Sequence, residues 1–157
     1  MRFPALPGSV VMALALLTLM TSCTSEPETR MTPEQSREVF IAEAKAIIRA
    51  VFPTADPRVV VQVTDAPCGG PVGTDFSSVE SMINVHGDAP SDNLDPDQVL
   101  NQIVEVLKQR DWKINYTRNH VAGAERKGVG GIRTGVGGSP LGINISGDTE
   151  CVENPDA

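Results

Sequence analysis

The chain has 157 residues, and its 13 Lys and Arg against 20 Asp and Glu leave a net charge of −7. An acidic chain of this kind gains no counterion-release affinity for nucleic acid, which excludes that partner class, and it is repelled by an anionic lipid surface. Aromatic residues make up only 4% of it, which speaks against a stacking platform for bases or sugars.

Residues 1–22 read as a secretory signal. Arg2 and the amino terminus supply positive charge, and residues 10–20 are almost unbroken apolar sequence. That run is too short for a permanent span, which needs about 20 apolar residues. It leads into Leu19-Met20-Thr21-Ser22-Cys23, where small residues precede a cysteine. The segment resembles the lipobox of bacterial lipoproteins, which implies that Cys23 receives a diacylglycerol and becomes the first residue after cleavage. The competing reading is an ordinary secretory signal with an incidental cysteine. Residues 23–31 contain the polar, Pro-bearing stretch TSEPETR and read as a lipidated tether. Residues 32–157 are then a single domain by length. Loss of Arg2 lowers the basic count from 13 to 12 against 20 acids, a charge of −8, so the lipid has to do the anchoring.

The first helix opens at Thr32-Pro33-Glu34-Gln35, with a capping hydroxyl, Pro at the first helical position and Gln three residues after the cap. Phe40, Ala44, Ile47, Ile48 and Val51 then form one apolar stripe, and Pro53 ends the helix. Residues 59–64 (VVVQVT) read as a strand inside a sheet, and residues 65–74 (DAPCGGPVGT) as a loop centred on Cys68. Residues 76–86 carry an apolar face at Val79, Ile83 and Val85 and read as a second strand, antiparallel to the first. A second helix repeats the cap grammar in Asp95-Pro96-Asp97-Gln98 and carries Val99, Leu100, Ile103, Val106 and Leu107 as its stripe.

Residues 112–118 (WKINYTR) alternate Trp112, Ile114 and Tyr116 on one side against polar residues, which predicts a half-buried strand. Residues 125–133 and 141–146 are expected as two more strands, joined by a turn at 134–140 (TGVGGSP). The expected fold is therefore α+β: a two-layer sandwich of a mainly antiparallel sheet with two helices on one face, in the order α-β-β-α-β-β-β. The other face of the sheet is expected to stay solvated.

With Cys23 lipidated, Cys68 and Cys151 remain as an even pair in an oxidising compartment, and a disulfide between them is expected. Two free thiols or a metal pair are the alternatives, and no C-x-x-C supports the latter. The last strand, Leu141-Gly142-Ile143-Asn144-Ile145-Ser146, runs into Gly147-Asp148-Thr149-Glu150-Cys151. Together with the first cysteine in the loop after the first strand, this pattern resembles the mycobacterial LppA group of lipoproteins. The resemblance covers nearly all of residues 23–157 and implies a surface lipoprotein of unknown function with an α+β domain and one disulfide. Only Cys23, Cys68 and Cys151 match positions that the pattern defines, and no catalytic residue is carried over. The chain is shorter than that group's usual length at both ends.

No catalytic constellation emerges. His86 precedes Gly87 at a strand end, and His120 follows Asn119 in a polar loop, neither in a nucleophile elbow. They lack a third partner at zinc spacing, so no metal is expected. Asp88, Asp92, Asp95 and Asp97 lack the spacing of a calcium loop, and residues 128–138 lack the Gly-Lys-Ser/Thr of a phosphate loop. Arg126, Lys127 and Arg133 form the one basic region, so an anion-binding patch is expected there if anywhere. The resulting expectation is a membrane-anchored, extracytoplasmic lipoprotein with no cofactor, binding an envelope protein, lipid or cell-wall component. A small-ligand or lipid carrier with a cleft between sheet and helices is one alternative. The other is a small envelope hydrolase with His86 or His120 as base beside Asp75 or Asp88.

Overall fold

The computed structural model describes residues 30–69, 75–91 and 93–157. The expected signal, the lipid site Cys23 and all of the tether before Arg30 lie outside the described residues. Helix α1 (Pro33–Val51) starts as its residues dictate: Thr32 Oγ1 accepts from Gln35 N at 3.3 Å, and Gln35 Oε1 accepts from Thr32 N at 3.0 Å. Helix α2 (Pro96–Gln109) is capped by Asp95, which accepts from Asp97 N at 2.9 Å. Each helix buries the predicted stripe, with Phe40, Ala44, Ile47 and Ile48 on α1 and Val99, Leu100, Ile103 and Leu107 on α2. Full burial of one such large side chain stabilises the fold by about 1.5–3 kcal/mol.

The strands are β1 (Arg58–Gly69), β2 (Asp75–Asp88), β3 (Lys113–Arg118), β4 (Val121–Arg126), β5 (Gly130–Gly137), β6 (Gly142–Thr149) and the short β7 (Val152–Glu153). They make one antiparallel sheet in the order β1-β2-β6-β5-β4-β3, with β7 paired to β2. The α+β architecture, with two helices on one face and nothing but strands after α2, is the one expected. Helix α2 carries the chain from β2 to the far edge at β3, and the meander β3-β4-β5-β6 returns to close against β2. The core lies between helices and sheet and includes Ile83 and Val85 of β2, Ile143 and Ile145 of β6, and Ile132 of β5.

Four local expectations are corrected. β1 is an edge strand and not an inner one, because β6 takes the other side of β2; Val60, Val61 and Val63 are exposed as a result. The strand also continues through Cys68 to Gly69, with register shifts after Val61, Val63 and Pro67, so Cys68 lies in a strand paired with the start of β2. Bulges of this kind blunt a free edge. The stretch 125–133 is not one strand: it turns at Lys127 and Gly128, where Val129 N donates to Arg126 O at 3.1 Å, and divides between β4 and β5.

The fourth correction reorients a side chain. Ile114 pairs with Ala124 but Tyr116 pairs with Gly123, so Asn115 is bulged and Tyr116 leaves the face shared by Trp112 and Ile114. It lies instead on the face away from the helices. A Cβ at position 123 would stand 2.3 Å from the Tyr116 ring, so only glycine lets the ring lie flat there.

Candidate functional site

The face of the sheet opposite the helices is uncovered, and the strand registers order it into rows. One row crosses all six long strands as Val60, Asn84, Ser146, Arg133, Gly123 and Tyr116. The row on one side runs from Arg58 through His86 and Asn144 to Arg118. The row on the other side runs from Val63 through Met82 and Asp148 to Glu125 and Lys113. An open cavity of about 450 Å³ lies between the central row and this last one, lined among others by Met82, Tyr116, Glu125, Arg133, Ser146 and Asp148.

Charge is distributed unevenly over this face. Arg58 pairs with Asp88 at 3.0 Å, and Lys113 with Glu125 at 2.7 Å. Lys113 is thereby held above its ordinary pKa and Glu125 below, each by the other's hydrogen bond and charge. Arg118 stands 5.6 Å from the centroid of the Tyr116 ring, a cation–π contact. Among the described residues neither Arg118 nor Arg133 forms an ion pair. At the β2–β6 end, burial first and Asp148 second push the carboxyl of Glu80 up.

The expected anion patch is divided by the fold. Arg126 points toward the helices and pairs with Glu43 at 2.9 Å, beside Arg110, which reaches the same carboxylate at 2.8 Å. Lys127 sits at the β4–β5 turn and lines a second open cavity of about 920 Å³, together with Arg30, Glu150, Cys151 and Glu153. Arg133 alone of the three lies on the open face. Tyr116, Arg118 and Gly123 join it there, and sequence reasoning missed all three because the bulge at Asn115 is invisible in an alternating strand.

The histidines are paired at the surface. His86 Nε2 lies 2.8 Å from Asp88, whose carboxyl is lowered by that hydrogen bond and by Arg58. His120 sits in a two-residue hairpin turn with Asn119, both at positive φ, and its Nε2 lies 3.1 Å from Asp97. Neither histidine lines the two cavities above, and no group of three metal-binding side chains occurs among the described residues. Cys68 and Cys151 form a disulfide, with Cα atoms 6.0 Å apart. Among the described residues no helix is long and apolar enough to cross a membrane. The chain matches no protein-family model, no curated protein and no solved structure.

Proposed function

We propose that this chain is a bacterial lipoprotein of the cell envelope, held by lipid on Cys23 on the extracytoplasmic side of a membrane, whose domain is a non-catalytic binding or accessory module. Within this reading it stands with the LppA-like lipoproteins of mycobacteria. The observation that carries the binding role is the uncovered sheet face, where an open cavity is lined by Tyr116, Arg133, Ser146, Glu125 and Asp148 and where Arg118 and Arg133 have no ion pair among the described residues. The anchor rests on the signal-like residues 1–22 and the lipobox-like sequence ending at Cys23. The Cys68–Cys151 disulfide fits an oxidising compartment outside the cytoplasm. A carrier role finds less support, because both cavities open on the surface and Phe40, Ile103 and Ile143 fill the space between sheet and helices.

Cell fractionation of the wild type and of Cys23→Ala tests the anchor. Wild type should sediment with membranes, and the variant should appear in the medium or periplasm. A variant that stays in the membrane fraction sinks the lipid reading. Capture from detergent-solubilised envelope with the full chain tests the module, and recovery of nothing beyond bulk envelope components counts against it.

A further inference from the structure

We infer that the open face takes an acidic oligosaccharide, whose carboxylates sit on Arg118 and Arg133 and whose hydroxyls meet the amides of Asn144 and Asn84 on the two strands beyond Arg133. The inference rests on the reading of this face as a binding surface and adds the ligand's chemistry. Four observations carry it.

The first is unsatisfied charge. In a chain of net charge −7, two guanidiniums on one face have no carboxylate partner among the described residues, although Arg58 and Lys113 on that same face are each paired. A guanidinium is a rigid fork suited to a carboxylate, so an unpaired one is a ready anion receptor.

The second is positioning. Arg118 stands over the Tyr116 ring, 5.6 Å from its centroid, and that ring lies against Gly123, so the tyrosine helps to place a cation. Gly123 pairs directly with Arg133, which sets the second arginine one strand beyond the tyrosine's own partner strand.

The third is the neutral inventory. Asn84 and Ser146 share the central row with Arg133, and Asn144 lies beside them in the next row. The side-chain amides of Asn84 and Asn144 form no hydrogen bond within the described chain, which leaves donors and acceptors for sugar hydroxyls. The fourth is shape: an open cavity of about 450 Å³ takes in Tyr116, Arg133 and Ser146 of the central row, and Arg118, Asn84 and Asn144 lie on the exposed sheet outside it, so the surface suits an extended chain of polar units better than a compact apolar molecule.

Asp148 and Glu125 line the cavity on the side away from Arg118, with Glu80 near Asp148, and repel an anion there, which leaves the acidic groups to the Arg118 and Arg133 side of the face.

Calorimetric titration of the full chain with tetragalacturonate is the test, with maltotetraose, tetraglutamate and inorganic phosphate as comparison ligands. Tetragalacturonate should bind at least about tenfold more tightly than each of the three. Arg118→Ala and Arg133→Ala should each weaken it by about tenfold, the loss of one charge-assisted pair, and Arg49→Ala on α1 should leave it unchanged. Asp148→Asn should tighten binding, a gain that misfolding cannot produce. Equal binding of the neutral tetrasaccharide, of the acidic peptide or of phosphate alone overturns the proposal, as does any loss in Arg49→Ala equal to that in Arg133→Ala. If tetragalacturonate fails while envelope capture still yields a partner, the saccharide falls and the binding module stands. If both fail, both fall.

Discussion

Glu80 and Asp148 stand near each other on the open face, and folding makes the carboxyl of Glu80 a weaker acid through partial burial and that neighbour's charge. A folded-state pKa above the unfolded one means that the ionised side chain costs stability, and the cost is relieved as pH falls through the raised value. Glu80→Gln should therefore raise the melting temperature at neutral pH, and the gain should vanish once acid has protonated the wild-type residue. A lower melting temperature than wild type at neutral pH would contradict this sign. At the same scale, Tyr116 marks the limit of what the amino-acid sequence discloses. Its alternation with Trp112 and Ile114 is regular, and only the pairing with β4 reveals that Asn115 is extra and turns the ring over. Cys68 and Cys151 were legible as a pair because, once Cys23 is set aside as an expected lipid site, an even count leaves few other arrangements.

Between elements, one carboxylate joins three segments. Glu43 on α1 receives Arg110 at the end of α2 and Arg126 at the end of β4. Burial alone would raise its carboxyl, but the hydrogen bonds and charge of Arg110, with the charge of Arg126, outweigh this and hold it below the usual range. The contribution is fully present at neutral pH and is lost as pH falls through that lowered value. Glu43→Gln should cost about 1.5–3 kcal/mol at neutral pH by chemical denaturation, the range for hydrogen bonds to a charged group. The cost should shrink in acid, and a variant as stable as wild type at neutral pH would show that solvent does the same work. Both helices were legible from their caps and stripes, since those signals are local. Strand ends were not, because a glycine-rich run such as GVGGIR marks flexibility without saying where the turn falls, and VVVQV is equally apolar at an edge or in the interior.

For the molecule as a whole, the Cys68–Cys151 bond joins β1 to the segment between β6 and β7 across 83 positions of sequence. On the chain-entropy account, a loop of that size stabilises the fold by about 4–5 kcal/mol through the unfolded state. The double variant Cys68→Ser/Cys151→Ser should lose an amount of that order in denaturant titrations, and a loss under about 1 kcal/mol would mean that the reduced chain keeps its ends together by other contacts. Those other contacts are visible. Ser36 on the first turn of α1 donates to Glu150 O at 3.1 Å, Arg30 pairs with Glu153, and Asn154 N donates to Ser77 O at 2.9 Å. The start of α1, the last strand and the disulfide thus meet at one corner. The chain's entry into α1 at residue 30 is thus tied to the last strand and, through Glu150 beside Cys151, to the covalent bond, so the two ends of the described chain are fastened to each other as by a hitch.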